Sequence, residues 1–229
     1  MTDFHTHILP KIDDGPDSPE VSLAMLRELK SQGVSRLVLT PHYYCLRHSV
    51  DEFLKSREDA FSALSEDFSK MGFSVHLGAE VLLQKELFDR ENIELLCVQN
   101  TRHMLVELDF IKDFGSVLDR LENLVYCYNI TPIVVHVEKY GYLAKHPESV
   151  RALTDLGCLI QANTSLVRWR SRRFIKRLIS EGLIHLIGSD CHNMTGRRPD
   201  FPRFKAFLKK HRMDTFMELA EQNACSILT

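Results

Sequence analysis

Nine histidine, aspartate and glutamate side chains in this 229-residue sequence stand where they could bind divalent cations or move protons, and most close a short apolar run. His5-Thr-His7 follows Asp3-Phe4, and Thr40-Pro-His42 follows Val34-Ser-Arg-Leu-Val-Leu. Gly78-Ala-Glu80 follows Phe73-Ser-Val-His-Leu77. Glu107 closes His103-Met-Leu-Val-Glu, and His136 closes Pro132-Ile-Val-Val-His. Ser189-Asp190-Cys-His192 follows Leu183-Ile-His-Leu-Ile187. Asp14, in Ile12-Asp13-Asp14-Gly15-Pro16, can reach the same face, with Asp13 as the competing choice. Alternate strand residues point the same way, so His-x-His sets two imidazoles on one ion or astride two. Nine ligands exceed one ion, since catalytic zinc commonly takes three protein ligands and keeps a place for water. Two or three ions are therefore expected. Mixed imidazole and carboxylate ligands suit manganese, iron or zinc without selecting among them. Asp14, Glu80, Glu107 and Asp190 bring four negative charges against the six positive charges of three divalent ions. That surplus suits a phosphate monoester dianion. Clustered metals generate hydroxide at neutral pH and stabilise the oxygens of an in-line displacement.

These residues need a scaffold that brings strand ends together. A helix, a glycine and an apolar β-rich run recur at Gly33, Gly72, Gly157 and Gly182. Glycine just past a helix takes the left-handed conformation that other residues resist. Ser18-Pro19-Glu20 reads as a helix start, with an N-cap and a proline at the first helical position. Ser49-Val-Asp-Glu52 reads as a capping box before a long amphipathic helix to about Met71. A helical period covers Gly115 to about Asn129, and the chain from Phe201 onward reads as helical. About seven strands alternating with helices give an α/β protein with a parallel sheet, closed as a barrel or open. Such sheets build sites from the carboxyl ends of their strands. Only the sixth run, ending at Gln161-Ala-Asn163, lacks a strong ligand.

The other histidines read blandly. His76 and His185 fall inside strands and read as wall or helix-facing residues. His48, His103, His146 and His211 are expected at the surface. Arg168 to Lys176 holds five basic residues in nine positions; such a run is usually a solvated helix face, though near a site it could steer an acidic protein segment.

Composition narrows the class. With 31 acids, 29 bases and a formal charge of −2, the chain lacks the basic excess of a general nucleic-acid binder. Its length suits one domain, residues 1–229. No run of about 18 apolar residues is present, so membrane insertion is not expected. The opening Met-Thr-Asp-Phe-His lacks a basic-then-apolar signal region, so a cytoplasmic location is the default. None of the six cysteines forms C-x-x-C. The 11 histidines stand out beside a single tryptophan, so the site argument rests on them.

Together, Asp3-Phe-His-Thr-His-Ile-Leu-Pro, Ile-Asp-Asp14-Gly-Pro, Thr-Pro-His42, Gly-Ala-Glu80, Val-Val-His136 and Ser-Asp190-Cys-His192-Asn193 resemble the polymerase-and-histidinol-phosphatase (PHP) superfamily. The opening looks most like its bacterial tyrosine-phosphatase branch, which goes with capsule and exopolysaccharide assembly. The resemblance runs from Asp3 to about Arg197. It implies a distorted (β/α)7 TIM-like barrel with three ions, typically manganese, iron and zinc remaining open. It implies His5, His7, Glu80 and Asp190 on one ion. Glu80, Glu107 and His136 would hold the second, and Asp14, His42 and His192 the third. The implied substrate is phosphotyrosine on a tyrosine autokinase that regulates polysaccharide export. A metal-bridging hydroxide would attack phosphorus directly, without a phospho-enzyme. A metal-bound water or His42 would serve the leaving tyrosinate. Arg197 matches one of two expected phosphate-binding arginines. The other position holds Lys139, which supplies charge without a planar two-pronged grip. Some relatives form rings, so a homo-oligomer stays open.

Three rivals stand beside this reading. Cys191-His-Asn-Met-Thr-Gly-Arg197 satisfies C-x5-R, the signature of thiolate tyrosine phosphatases. The motif is short, and the loop has a single glycine where backbone amides should cradle phosphate. A histidinol-phosphate or other small-phosphomonoester phosphatase would use similar ligands. A phosphopeptide-binding module without turnover would keep the site but has no need of three metals. An amidohydrolase also begins with His-x-His but usually wants a bridging lysine, where this chain offers Glu80 and Glu107.

Overall fold

The computed structural model describes residues 1–109, 113–165 and 169–229. β1 (Thr2–Thr6) leads through a loop to α1 (Pro19–Ser31). The second strand comes in two pieces, β2 (Arg36–Leu39) and β3 (His42–Tyr43), followed by α2 (Val50–Ser62) and α3 (Ser65–Lys70). The third is likewise split into β4 (Ser74–Leu77) and β5 (Glu80–Leu83). Then come β6 (His103–Leu108), α4 (Phe114–Glu122), β7 (Thr131–Val134), α5 (Gly141–Lys145), α6 (Glu148–Asp155) and β8 (Leu159–Asn163). The chain ends with α7 (Trp169–Ser180), β9 (Leu186–Gly188), α8 (Phe201–Lys210) and α9 (Phe216–Leu228).

Every pairing among these strands is parallel. One sheet runs β1-β2-β4 and the other β3-β5-β6-β7-β8-β9. The two are one wall with a kink. Pro41 lacks an N–H and Gly78 lacks a side chain, so both strands bend there. Gly78 N donates to Leu39 O at 2.8 Å and Glu80 N to Pro41 O at 3.0 Å, which carries the ladder across. The last strand returns to the first. Asp190 N donates to His5 O at 2.8 Å, and His7 N donates to Cys191 O at 3.0 Å. The sheet therefore closes as a distorted seven-stranded (β/α) barrel, the closed option that sequence periodicity left open.

The barrel interior has two halves. A small apolar cluster takes Phe4, Val38, Leu105, Ile133, Val135 and Leu186 from β1, β2, β6, β7 with its exit, and β9, with Ala224 of α9 against it. Leu105 lies two residues before Glu107, and Leu186 two before Gly188, so each shares its face with the polar end above. A larger cluster fills the space between barrel and helices. Full burial of one such Leu or Phe stabilises by about 1.5–3 kcal/mol.

Local readings fare unevenly. Gly33 and Gly157 adopt φ of +87° and +97°, as the helix–glycine–strand pattern requires. The Ser49–Glu52 capping box forms in both directions. Ser18 starts α1, but its side chain makes no capping bond to the backbone. The expected long helix to Met71 is interrupted: α2 stops at Ser62, and Leu64 turns inward, 1% exposed, before α3 begins. Burying Leu64 and Phe68 together outweighs continuity of the helix. The helix from Gly115 ends in a π-turn over Asn123–Cys127. His185 lies just before β9, and its Nδ1 accepts the Ile160 N–H at 3.0 Å. His103 is half-buried rather than a surface residue, because it starts β6 beneath neighbouring strands. Arg168 of the basic run lies outside the described residues. Among the described residues, no helix is long and apolar enough to cross a membrane.

Candidate metal centre

β1 delivers two imidazoles through an irregularity. Its register against β2 slips between Asp3 and Thr6, so three steps of one strand face two of the other. Such a bulge re-aims a side chain. Phe4 points into the apolar floor, and the next residue, His5, points into the site. Gly188 is fitted to this arrangement: a Cβ there would lie 2.4 Å from the His5 Cβ. At the fifth and seventh strand exits the chain turns sharply at His136 (φ +37°) and Asp190 (φ +52°). Non-glycine residues held there cost roughly 1–3 kcal/mol each, and such strain gathers at functional sites.

The nine residues singled out by sequence lie together. His5 Nε2 and His7 Nε2 are 3.1 Å apart, and each is 3.0 Å from Glu80 Oε2. Asp190 Oδ1 lies 3.8 and 3.6 Å from the same two nitrogens. His136 Nε2 is 2.7 Å from Glu80 Oε1 and 3.5 Å from Glu107 Oε1. His42 is 3.2 Å from Glu80 through Nδ1 and 3.4 Å from Asp14 through Nε2. His192 Nε2 is 3.1 Å from Asp14 Oδ1. Among the described residues, three groups have ligand atoms all within 4.8 Å of one another: His5, His7, Glu80 and Asp190; His7, Asp14, His42 and His192; and His42, Glu80 and Glu107. The first has the membership that the resemblance implies. The third ion's group gains His7. The second ion's group has His42 where the resemblance implies His136, which touches both of its carboxylates from the side.

The donor chemistry fits divalent cations. His7 Nδ1 donates to Asp13 Oδ2 at 2.6 Å, His5 Nδ1 to Gln161 Oε1 at 3.3 Å, and His192 Nδ1 to the Asp190 carbonyl at 3.0 Å. Each bond fixes the tautomer and leaves an Nε2 lone pair facing inward, as outer-shell partners of metal-binding histidines do. Nε2 atoms of His5 and His7 thus converge on a carboxylate oxygen, an arrangement that shared protons or a bound divalent cation would relieve. At this site His192 Nε2, together with His42 Nδ1 and His136 Nδ1, is a buried ring nitrogen with no aligned hydrogen-bond partner. Buried polar atoms in that condition are uncommon and need a reason.

The pKa shifts express the same crowding. Burial opposes a charged His7, yet bonds to Asp13 and Glu80 outweigh it and raise its pKa to about 10. Burial also opposes a charged Glu80, but His5 and the imidazole hydrogen bonds hold it well below the usual carboxylate range. His192 falls to about 3 through burial and the neighbouring His7 charge. Burial and the charge on Glu80 raise Glu107.

At the mouth, two cations hold the acids. Lys139 Nζ donates to Asp190 Oδ2 at 2.6 Å. Arg197 donates to Asp190 Oδ1 at 2.9 Å and to Asp14 Oδ2 at 3.1 Å. Both expected phosphate ligands therefore stand beside the cluster. Asp14, not Asp13, enters the cluster; Asp13 orients His7 and accepts the His42 N–H at 3.0 Å.

The sixth strand was expected from sequence, but the roles of its side chains at the site were missed. Gln161 Oε1 accepts from His136 N at 2.8 Å as well as from His5, and Asn163 Nδ2 donates to Asp190 Oδ2 at 2.8 Å. Neither is a strong ligand type, so a search for ligands passes over them; their place at a strand end was the available signal. Tyr44 was also missed. It stacks on His42 with ring centroids 5.3 Å apart. The thiolate reading fails here: Cys191 is 0% exposed, and burial pushes its thiol well above the ordinary value. A nucleophilic cysteine needs access and a lowered pKa.

The family model for capsular polysaccharide synthesis, CpsB/CapC, matches residues 1–229. The chain belongs to this family. Among CpsB/CapC relatives, the tyrosine-protein phosphatase CpsB of Streptococcus agalactiae is 28% identical over 241 residues, covering 100% of this chain and 98% of its own. The tyrosine-protein phosphatase YwqE of Bacillus subtilis is 28% identical over 207 residues, covering 86% of this chain and 79% of its own. A solved structure from work on YwqE of Bacillus subtilis and CpsB of Streptococcus pneumoniae, described as unique metal-dependent tyrosine phosphatases, superposes with a TM-score of 0.83. It shares 22% identity and covers 100% of this chain and 94% of that one. A β-aspartyl dipeptidase from Fervidobacterium islandicum aligns with a TM-score of 0.59 at 12% identity, a likeness of fold alone.

Proposed function

We propose that this CpsB/CapC chain is a metal-dependent protein-tyrosine phosphatase, with residues 1–229 acting as one PHP-type catalytic domain. The observation that carries the reading is the overlap of three ligand groups at one barrel mouth, with Lys139 and Arg197 beside them. The named activity of full-length relatives supports it. His5, His7, Asp14, His42, Glu80, Glu107, His136, Asp190 and His192 would hold three divalent ions, manganese first among the candidates. Such ions supply hydroxide at neutral pH and neutralise charge on the phosphoryl oxygens. Around them the chain's own groups act. Asp13 and Gln161 fix the ring orientations of His7 and His5. Lys139 and Arg197, now spent on Asp190 and Asp14, would turn to the phosphate once those carboxylates bind cations. Arg197 offers a planar fork to two phosphate oxygens, and Lys139 a single charge. His42, whose side chain is 10% exposed, stands nearest the mouth among the imidazoles and is the candidate proton donor to the leaving tyrosinate.

The partner in this reading is the phosphotyrosine segment of a tyrosine autokinase that governs capsule or exopolysaccharide synthesis, met in the cytoplasm. The test is phosphate release from a phosphotyrosine peptide, its phosphoserine counterpart and histidinol phosphate under one condition. Preference for the phosphotyrosine peptide is expected. Faster turnover of histidinol phosphate would replace the substrate class and leave the metal chemistry in place.

A further inference from the structure

A cleft of about 1420 Å³ opens from the metal site at Lys139, Asp190 and Arg197 and runs outward between α5, α7 and the start of α8. Ligand pockets for small molecules run to about 300–1,000 Å³, so this one exceeds the needs of a phosphate or a single phosphotyrosine. Its outer part is lined by Lys145, Arg173, Arg177, Arg198 and Arg203, against Asp200 as the carboxylate among the described residues there. The whole chain carries a net charge of −2, so this concentration opposes the molecule's balance. A solvated helix face would explain Arg173 and Arg177 alone. It does not explain why α5, the loop before α8 and α8 itself turn cations into the same cleft. Arg177 is held by Glu181 at 2.7 Å, and Arg203 lies 3.9 Å from Asp200. Lys145 and Arg198 are exposed and make no ion pair among the described residues.

We infer that this cleft is a docking groove for acidic residues flanking the phosphotyrosine, reading substrate carboxylates through Lys145, Arg198 and their neighbours. The inference rests on the phosphatase reading for the residue at the groove's inner end. Guanidinium forks match carboxylates, and like-signed walls of a cleft focus their field on an incoming anion. Exposed pairs are individually weak, so the groove acts by summing several and is sensitive to salt.

The test measures binding and turnover separately. Fluorescence anisotropy would compare two labelled phosphotyrosine peptides, one flanked by Asp and Glu and one by Asn and Gln, at low and at physiological salt. Hydrolysis of para-nitrophenyl phosphate would be followed on the same samples. The expected result is about five- to tenfold tighter binding of the acidic peptide at low salt, shrinking as salt rises. In the double variant Lys145→Glu, Arg198→Glu the preference should vanish while para-nitrophenyl phosphate turnover is unchanged. Equal binding of the two peptides by the unaltered protein, or a preference that survives the double variant, overturns the groove. Stronger competition by a single-stranded oligonucleotide than by the acidic peptide overturns the peptide assignment. A peptide preference in a protein that hydrolyses no phosphate ester upholds the groove and removes the phosphatase reading instead.

Discussion

The inner wall and the outer rim of the candidate metal site are built differently. His5, His7, Glu80, His136 and Asp190 are at most 5% exposed, and Asp13 and Gln161 brace the two β1 imidazoles. Strand register, the β1 bulge and Gly188 fix these side chains. At the rim, the side chains of Asp14, Lys139 and Arg197 are 62%, 38% and 38% exposed. Asp14 and Arg197 sit on loops and pair with each other, Lys139 ends a 3-10 turn, and both cations also hold Asp190 by ion pairs. The wall is positioned by the fold, whereas the rim is positioned by charge. A wall change should therefore destroy chemistry, and a rim change should retune it.

The sharpest way to break this contrast is His136→Ala. It should lower kcat on para-nitrophenyl phosphate by at least about a thousandfold with an unchanged circular dichroism spectrum. A rate near that of the unaltered protein would take His136 out of the wall. Asp3, beneath His5, tests the wall through stability. Burial raises its pKa to about 7, against hydrogen bonds from Ser189. The folded chain then keeps a proton that the unfolded chain releases above about pH 4. Asp3's own contribution to the stability of the metal-stripped protein should fall as pH rises from about 4 to about 7. Relative to Asp3→Asn, the unaltered protein should lose stability across this range, which paired urea titrations at several pH values would show. Asp13→Asn, which weakens the brace on His7, should reduce metal affinity by about 10–100-fold in a chelator competition assay. The smallest effect belongs to the rim. Lys139→Arg should lower KM for a phosphotyrosine peptide about two- to fivefold while kcat stays near its original value, because a forked donor replaces a point charge. A thousandfold loss from this change would show that the rim, too, is fixed by the fold.

The same contrast explains what was legible in the sequence. The wall could be read because strand ends announce themselves: a run of apolar residues closed by His or Glu, repeated from strand to strand. His5, His7, Glu80, Glu107 and His136 are all of this kind. The choice of Asp14 over Asp13 was harder, since it depends on a loop in which Asp13 is already taken by His7 and the His42 N–H. The braces Gln161 and Asn163 were invisible to a search by ligand type, as was the demand for glycine at position 188. Barrel closure was open because it rests on hydrogen bonds between the first and last strands, far apart in sequence. The break between α2 and α3 was hidden because a helical period continues across it while Leu64 turns to the core.

The central claim is that divalent cations, not Cys191, drive phosphate-ester cleavage at this barrel mouth. The most direct measurement strips the purified protein with chelator, restores manganese, zinc, iron or magnesium one at a time, and follows phosphotyrosine-peptide hydrolysis alongside Cys191→Ser. The account predicts activity that disappears with chelator, returns with a divalent ion and is within about twofold of the original in Cys191→Ser, whose site is buried away from substrate. Activity indifferent to chelator and lost with the cysteine would contradict it.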